Sequence, residues 1–205
     1  APSVTGDSLT FVPLGVEALA DASTSSTFVS VQNDAQLQFG VTAKEGNAIA
    51  GLDFSELGDF SMVGGGFAFV DVTANFYVTI MDVDGEELDS AFTTASSMTF
   101  SPNADGTFNH SAPFTQGLWD GSIYLDVLSM LDDEGISYVD GVTRMSVNLD
   151  NILVAYASAG GTSFIKKKDL TGFTVTSEVV PEPASLVLIL GTTCSLAFVR
   201  RRVIG

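Results

Sequence analysis

The sequence predicts an all-β fold, a jelly-roll-like antiparallel sandwich, followed by one C-terminal membrane helix. Three observations carry this. Apolar and polar residues alternate with period two in many short segments, such as "ANFYVTIMDVDG". Gly, Asn and Asp clusters punctuate those segments: Asn33-Asp34, Glu45-Gly46-Asn47, Asp105-Gly106 and Asp140-Gly141. Residues 184–199 carry no charge and run into Arg200, Arg201 and Arg202. Several short strands at this spacing imply a sandwich or barrel, and the chain is too long for the smallest sandwiches.

Taken in order, "GVEALADAS" reads as one or two helical turns, whereas "STFVSVQ" and "QLQFGVT" alternate as strands. Gly64-Gly65-Gly66 is flanked by strand residues and reads as a kink or bulge within a long strand. Next, Phe76, Val78 and Ile80 alternate with Asn75, Tyr77 and Thr79; Asp84-Gly85 supplies a turn, and "EELDSAF" returns as the partner. "SIYLDVL" is a strand, although "LDVLSMLDDEG" also fits a short helix. In "RMSVNLDNILVAYAS" the apolar set changes from Met145, Val147 and Leu149 to Ile152, Val154 and Tyr156. Either a β-bulge near Asp150–Asn151 corrects the phase, or the strand is central and covered on both faces. Lys166, Lys167 and Lys168 read as edge lysines that block unwanted pairing. "TGFTVTSEV" is the last strand, which places a β-domain over residues 1–178.

The 205-residue chain has a net charge of −17, which opposes binding to nucleic acid or anionic lipid. Its one cysteine, Cys194, lies in the apolar C-terminal run, so no intramolecular disulfide forms. Ala1-Pro2-Ser3 is the kind of start left by removal of a secretory signal. An exported domain without disulfides depends on its core, on metal or on neighbours.

Readable chemistry is sparse. His110 is the one histidine, and no Gly-x-Ser-x-Gly marks a nucleophile. With one histidine and one cysteine, a zinc site is not expected. No catalytic residue and no enzyme activity are therefore predicted. Asp82, Asp84 and Glu86 in "MDVDGEELD" resemble the opening of a calcium loop without its full spacing; solvated acids on a hairpin turn explain them equally well. Trp119, near Phe114, is the candidate platform for a sugar ligand, beside the bland reading of a core aromatic.

Residues 179–205 form a separate unit. Pro181 and Pro183 resist entering a helix and mark its start. The apolar run is close to the length needed to span a bilayer, and Arg200–Arg202 would face the cytoplasm. Pro181-Glu182-Pro183, an apolar span and an arginine cluster together resemble the PEP-CTERM sorting signal of bacterial envelope proteins. The resemblance covers about 25 residues at the C-terminus. It implies recognition by exosortase, a membrane-embedded cysteine transpeptidase, with cleavage near the Pro-Glu-Pro. It further implies a place at the cell surface or in an exopolysaccharide matrix, in contact with polysaccharide or other envelope proteins. The expected function is a structural or interaction module of the envelope. The alternatives are a carbohydrate-binding surface module and an accessory subunit that keeps its membrane helix.

Overall fold

Long strands arise where every second residue is apolar and the pattern holds for many residues. This occurs in β4 (Val29–Thr42), β5 (Asn47–Gly64), β6 (Ala68–Val83) and β11 (Val142–Ala157). The computed structural model describes residues 3–5, 8–11, 16–110, 113–167 and 173–181. The remaining strands are β1 (Ser3–Thr5), β2 (Ser8–Phe11), β3 (Glu17–Asp21), β7 (Glu86–Ser97), β8 (Thr99–Ser101), β9 (Thr107–Asn109), β10 (Phe114–Asp126), β12 (Gly161–Lys167) and β13 (Phe173–Pro181). One short helix, α1 (Val127–Asp133), interrupts them.

All pairings are antiparallel and, apart from one bridge between Val142 of β11 and Ile49 of β5, fall into two layers. In the first, β11 lies between β4 and β6, and β7 and β9 share the far edge of β6. In the second, β5 is central. It pairs with β10 on one side, and β10 in turn with β8. On its other side β13 takes residues 47–56 of β5 and β12 takes 58–64. β3 pairs with β12, and β2 and β1 extend from β13. The chain changes layer repeatedly: β3 to β4, β4 to β5, β5 to β6, β7 to β8, β8 to β9, β9 to β10, β10 through α1 to β11, and β11 to β12. The protein is therefore an all-β sandwich.

The core lies between the layers. Leu52, Phe54, Phe60 and Met62 of β5 face Val70, Val72, Phe76 and Val78 of β6 and Met145, Val147, Leu149 and Leu153 of β11, all buried. Rings cross the gap: Phe54 and Phe76 have centroids 4.6 Å apart, and Phe60 stacks on Phe108 at 4.6 Å. Each such buried side chain contributes about 1.5–3 kcal/mol relative to an exposed one.

Four local expectations need correction. "GVEALADAS" is strand β3, not helix: Ala18, Ala20 and Ala22 are buried on one phase, and β12 supplies the ladder. Alanine's helix propensity is a weak preference that strand pairing overrides. Gly64–Gly66 is not a kink within a strand, because β5 ends at Gly64 in a positive-φ conformation (117°) and the chain turns there towards β6. No bulge occurs at Asp150–Asn151. β11 keeps its phase from Met145 to Ala157 and shifts register between Val142 and Met145 instead. It is a central strand, as the alternative reading held, with Ile152, Val154 and Tyr156 half-covered on its outer face. Finally, Lys167 is not an edge lysine: β12 sits between β3 and β5, and Lys167 is 4% exposed. Lys168 lies outside the described residues.

The helical reading of "LDVLSMLDDEG" matches α1. The Asp126 carboxylate accepts from the Ser129 N–H at 3.0 Å, capping the helix, and Val127, Met130 and Leu131 pack inward at i, i+3 and i+4 spacing.

Candidate ligand-binding face

Trp119 does not offer a platform. It points inward from β10, is 1% exposed, and its ring meets Phe100 edge-on at 6.0 Å. It lies over Gly58, its cross-strand partner, which has no side chain to obstruct the indole. A ring sealed in the core presents no face to a sugar.

The three calcium candidates are separately engaged. Asp82 forms a two-pronged ion pair with Arg144, both contacts at 2.7 Å. That hydrogen-bonded pairing lowers the Asp82 pKa. Asp84 and Gly85 both adopt positive φ (52° and 80°), which suits the tight turn between β6 and β7. The Asp84 carboxylate accepts the N–H groups of Val139, Asp140 and Gly141, each at 2.8 Å. Burial raises the Asp84 pKa, but the three backbone donors outweigh it and the net shift is downward. Glu86 is exposed at the start of β7. Among the described residues no three His, Cys, Asp or Glu side chains gather as a metal site. His110 is half-buried, with Nδ1 3.1 Å from Thr115 Oγ1 and Nε2 2.9 Å from the Gly64 carbonyl, which places it between the start of β10 and the end of β5. Pro181 ends β13 opposite Asn47 of β5. Glu182, Pro183, Arg200, Arg201, Arg202 and the apolar segment 184–199 lie outside the described residues. Among the described residues no helix is long and apolar enough to cross a membrane.

The structure assembles a different surface, on the outside of the layer containing β4, β11 and β6. Alternation that buries one phase of these strands presents the other. The register aligns the outward residues in transverse rows: Ser30, Tyr156 and Phe69; Gln32, Val154 and Asp71; Asp34, Ile152 and Thr73; Gln36, Asp150 and Asn75; Gln38, Asn148 and Tyr77. Thus amide, carboxylate and hydroxyl groups form a ladder along the face. Some are already oriented: Gln32 Nε2 donates to Asp34 at 2.9 Å, Thr107 Oγ1 to Asp71 at 2.7 Å, and Ser97 Oγ to Asn75 at 2.7 Å.

Aromatic rings flank this ladder. At one end four form a contiguous cluster around Tyr156. Tyr156 stacks on Phe69 at 5.2 Å and on Phe28 at 5.6 Å, and Phe67 leans on Tyr156 at 5.8 Å and on Phe69 at 5.9 Å. Phe28 and Phe67 are 63% and 59% exposed, so the cluster is an open patch rather than an extension of the core. Tyr77, 41% exposed, stands at the other end. From Phe69 to Tyr77 is eight strand residues, roughly 26 Å at about 3.3 Å each. The opposite layer also has an outward groove of about 450 Å³, lined by Asp59, Ser61, Gln116, Leu118 and Phe164.

A second polar group lies inside the sandwich. Glu56 of β5, Asn151 of β11 and Lys167 of β12 occupy the inward phase of their strands and are 0%, 2% and 4% exposed. Glu56 Oε2 accepts from Asn151 Nδ2 at 2.8 Å and from Lys167 Nζ. Burial lowers the Lys167 pKa, and the neighbouring Glu56 offsets part of that. Neither this triad nor the outer aromatic patch was singled out from sequence. The available signal was phase: Glu56 falls in step with Phe54, Phe60 and Met62, and Asn151 with Leu149, Leu153 and Ala155.

No family model matches the chain, and no curated protein matches it. Among solved structures, a carbohydrate-binding module, TmCBM61 in complex with β-1,4-galactotriose, is 12% identical over 83% of this chain and 88% of its own, with a TM-score of 0.21. A putative sugar-binding protein from Bacteroides thetaiotaomicron is 10% identical over 80% of this chain and 88% of its own (TM-score 0.20). A structure of infectious bursal disease virus, Gx strain, is 12% identical over 83% of this chain and 43% of its own (TM-score 0.22). Likeness at this level assigns no ligand.

Proposed function

We propose that this protein is an exported, non-catalytic envelope or matrix module with a jelly-roll topology, which binds a neutral polysaccharide across the outer face of β4, β11 and β6. Its C-terminal segment, with the apolar helix 184–199, anchors it and presents Pro181-Glu182-Pro183 to an exosortase-type transpeptidase. The observation that carries the binding reading is the exposed Phe28–Tyr156–Phe69–Phe67 patch next to a ladder of Asn, Gln, Asp and Thr side chains. Sugar rings stack their C–H faces on aromatic rings while their hydroxyls take amide and carboxylate partners, so a glycan uses both parts of such a face. Asp34, Asp71 and Asp150 lie on the face, and that charge disfavours an acidic glycan.

The test is native affinity electrophoresis through gels containing neutral or acidic polysaccharides. Retardation by a neutral polymer, reduced by Tyr156→Ala and by Phe67→Ala but not by Leu118→Ala in the opposite groove, supports the reading. Wild-type mobility that no polysaccharide changes, or binding lost only with Leu118→Ala, refutes it.

A further inference from the structure

Glu56, Asn151 and Lys167 serve no role in the binding face. Charged side chains this deep are costly, and replacing them by apolar residues is often neutral or stabilising. Their arrangement therefore calls for a reason beyond stability as an ion pair. The amine of Lys167 and the carboxamide nitrogen of Asn151 both contact one oxygen, Glu56 Oε2. A nucleophile and a leaving group thus share one carboxylate, the placement required of a proton shuttle. Glu56 Oε1 and Asn151 Oδ1 are buried with no hydrogen-bond partner, so the ion pair leaves the site incompletely satisfied. On the β5 side, Gly58 pairs with Lys167 on one flank and Trp119 on the other. The indole Nε1–H is also buried without a partner.

We propose that Lys167 and Asn151 join in an intramolecular isopeptide bond, formed by the folded protein itself with Glu56 as the acid–base catalyst.

The step balances without a co-reactant. In the desolvated site the lysine proton passes to Glu56, leaving an amine and a carboxylic acid in place of two buried charges. The Lys167 Nζ lone pair attacks Asn151 Cγ, a C–N bond forms, and the carbonyl electron pair moves onto Oδ1. Glu56 gives its proton to Nδ2 and then takes one from Nζ, so that it ends as a neutral carboxylic acid. The Cγ–Nδ2 bond breaks and ammonia leaves. Nothing is oxidised or reduced. The product is a neutral amide between β11 in one layer and β12 in the other, and departure of ammonia into solvent makes it permanent. Exclusion of water by the surrounding core protects the reacting amide from hydrolysis.

Intact mass of the full chain under denaturing conditions tests this. The expected result is a chain lighter than its sequence by one ammonia, with Lys167→Arg, Asn151→Ala and Glu56→Ala variants each at full sequence mass. Trypsin should give a branched peptide in which Lys167-Lys168 is attached to Asn151 of the 145–166 segment, because an acylated lysine is not cleaved. That peptide separates the isopeptide from a succinimide formed by Asn151 with its own backbone, which also releases ammonia. A wild-type chain at full sequence mass after prolonged incubation overturns the proposal whatever the variants do. So does an ammonia loss carried by residues 145–166 with Lys167 unattached.

Discussion

Gly58→Ala probes how tightly β5 is covered. A Cβ at Gly58 would penetrate Trp119 at Cε2 and Cζ2 and would also meet the main-chain oxygen of Lys166. Neither neighbour yields easily. Trp119 is 1% exposed and held edge-on by Phe100, and the Lys166 oxygen belongs to the paired strand β12. Inserting a methyl into such a site costs about 1–3 kcal/mol. Replacing glycine restricts the unfolded chain and returns about 0.4–1 kcal/mol. The net expectation is a loss of about 1–2 kcal/mol, or a fall in Tm of roughly 2–8 °C for a domain of this size. Trp119 is the one tryptophan, so its fluorescence follows unfolding and senses the altered packing together. Gly65→Ala is the control: nothing lies within 4 Å of its Cβ, and it should be neutral or slightly stabilising. If Gly58→Ala and Gly65→Ala melt together, Trp119 does not pack tightly over Gly58.

Four further outcomes are expected. Asp84→Ala should cost about 1–3 kcal/mol in urea unfolding, because three backbone donors lose their acceptor. The same contacts set an acid limit: Asp82 and Asp84 have lowered pKa values in the folded state, so their stabilisation is present above the ordinary carboxylate range and is lost as pH falls below about 4; acid melts of Asp84→Ala should show a shallower loss than wild type. Millimolar calcium should leave Tm unchanged, since Asp82 is committed to Arg144 and Asp84 to backbone donors; a rise in Tm that chelation reverses would restore the calcium-loop reading. In a host carrying exosortase, Glu182→Ala should accumulate at full length in membranes while the wild type is shortened, as read by blot and intact mass; a wild type that also stays full length would favour a permanent anchor.

Much of the fold was legible because alternation is a local signal. The strands around Phe76, Val147 and Ile123 and the Asp84-Gly85 turn all follow from residues adjacent in the chain. What was missed depends on the partner. Ala18 and Ala20 form a strand only because β12 lies alongside. The lysine run could be resolved only once β12 was placed between β3 and β5, which sends Lys167 inward and leaves Lys166 outward. Tyr156 and Phe69 are 87 positions apart and meet through the register of β11 with β6. Asn151 misled in an informative way. A polar residue in the apolar phase of a central strand resembles a slip in phase, and a bulge removes it from the core. The structure retains the phase and buries the amide. The Trp119 reading failed because an aromatic's neighbours in sequence do not reveal which side of its strand faces solvent.

Lys167 is the last residue of β12, and the next described strand, β13, runs antiparallel along β5 to Pro181. If the protein is held by its C-terminal end, as proposed, this order has a mechanical consequence. Tension entering through Pro181 loads the β13–β5 ladder along its length, as shear across many hydrogen bonds at once. Should β13 detach, the first residue of the remaining sandwich to feel the pull is Lys167. A covalent tie from there to β11 would stop the tear at that residue and pass the load into the centre of the opposite sheet. The face that carries Tyr156 and Phe69 would then keep its shape while the tether is stretched.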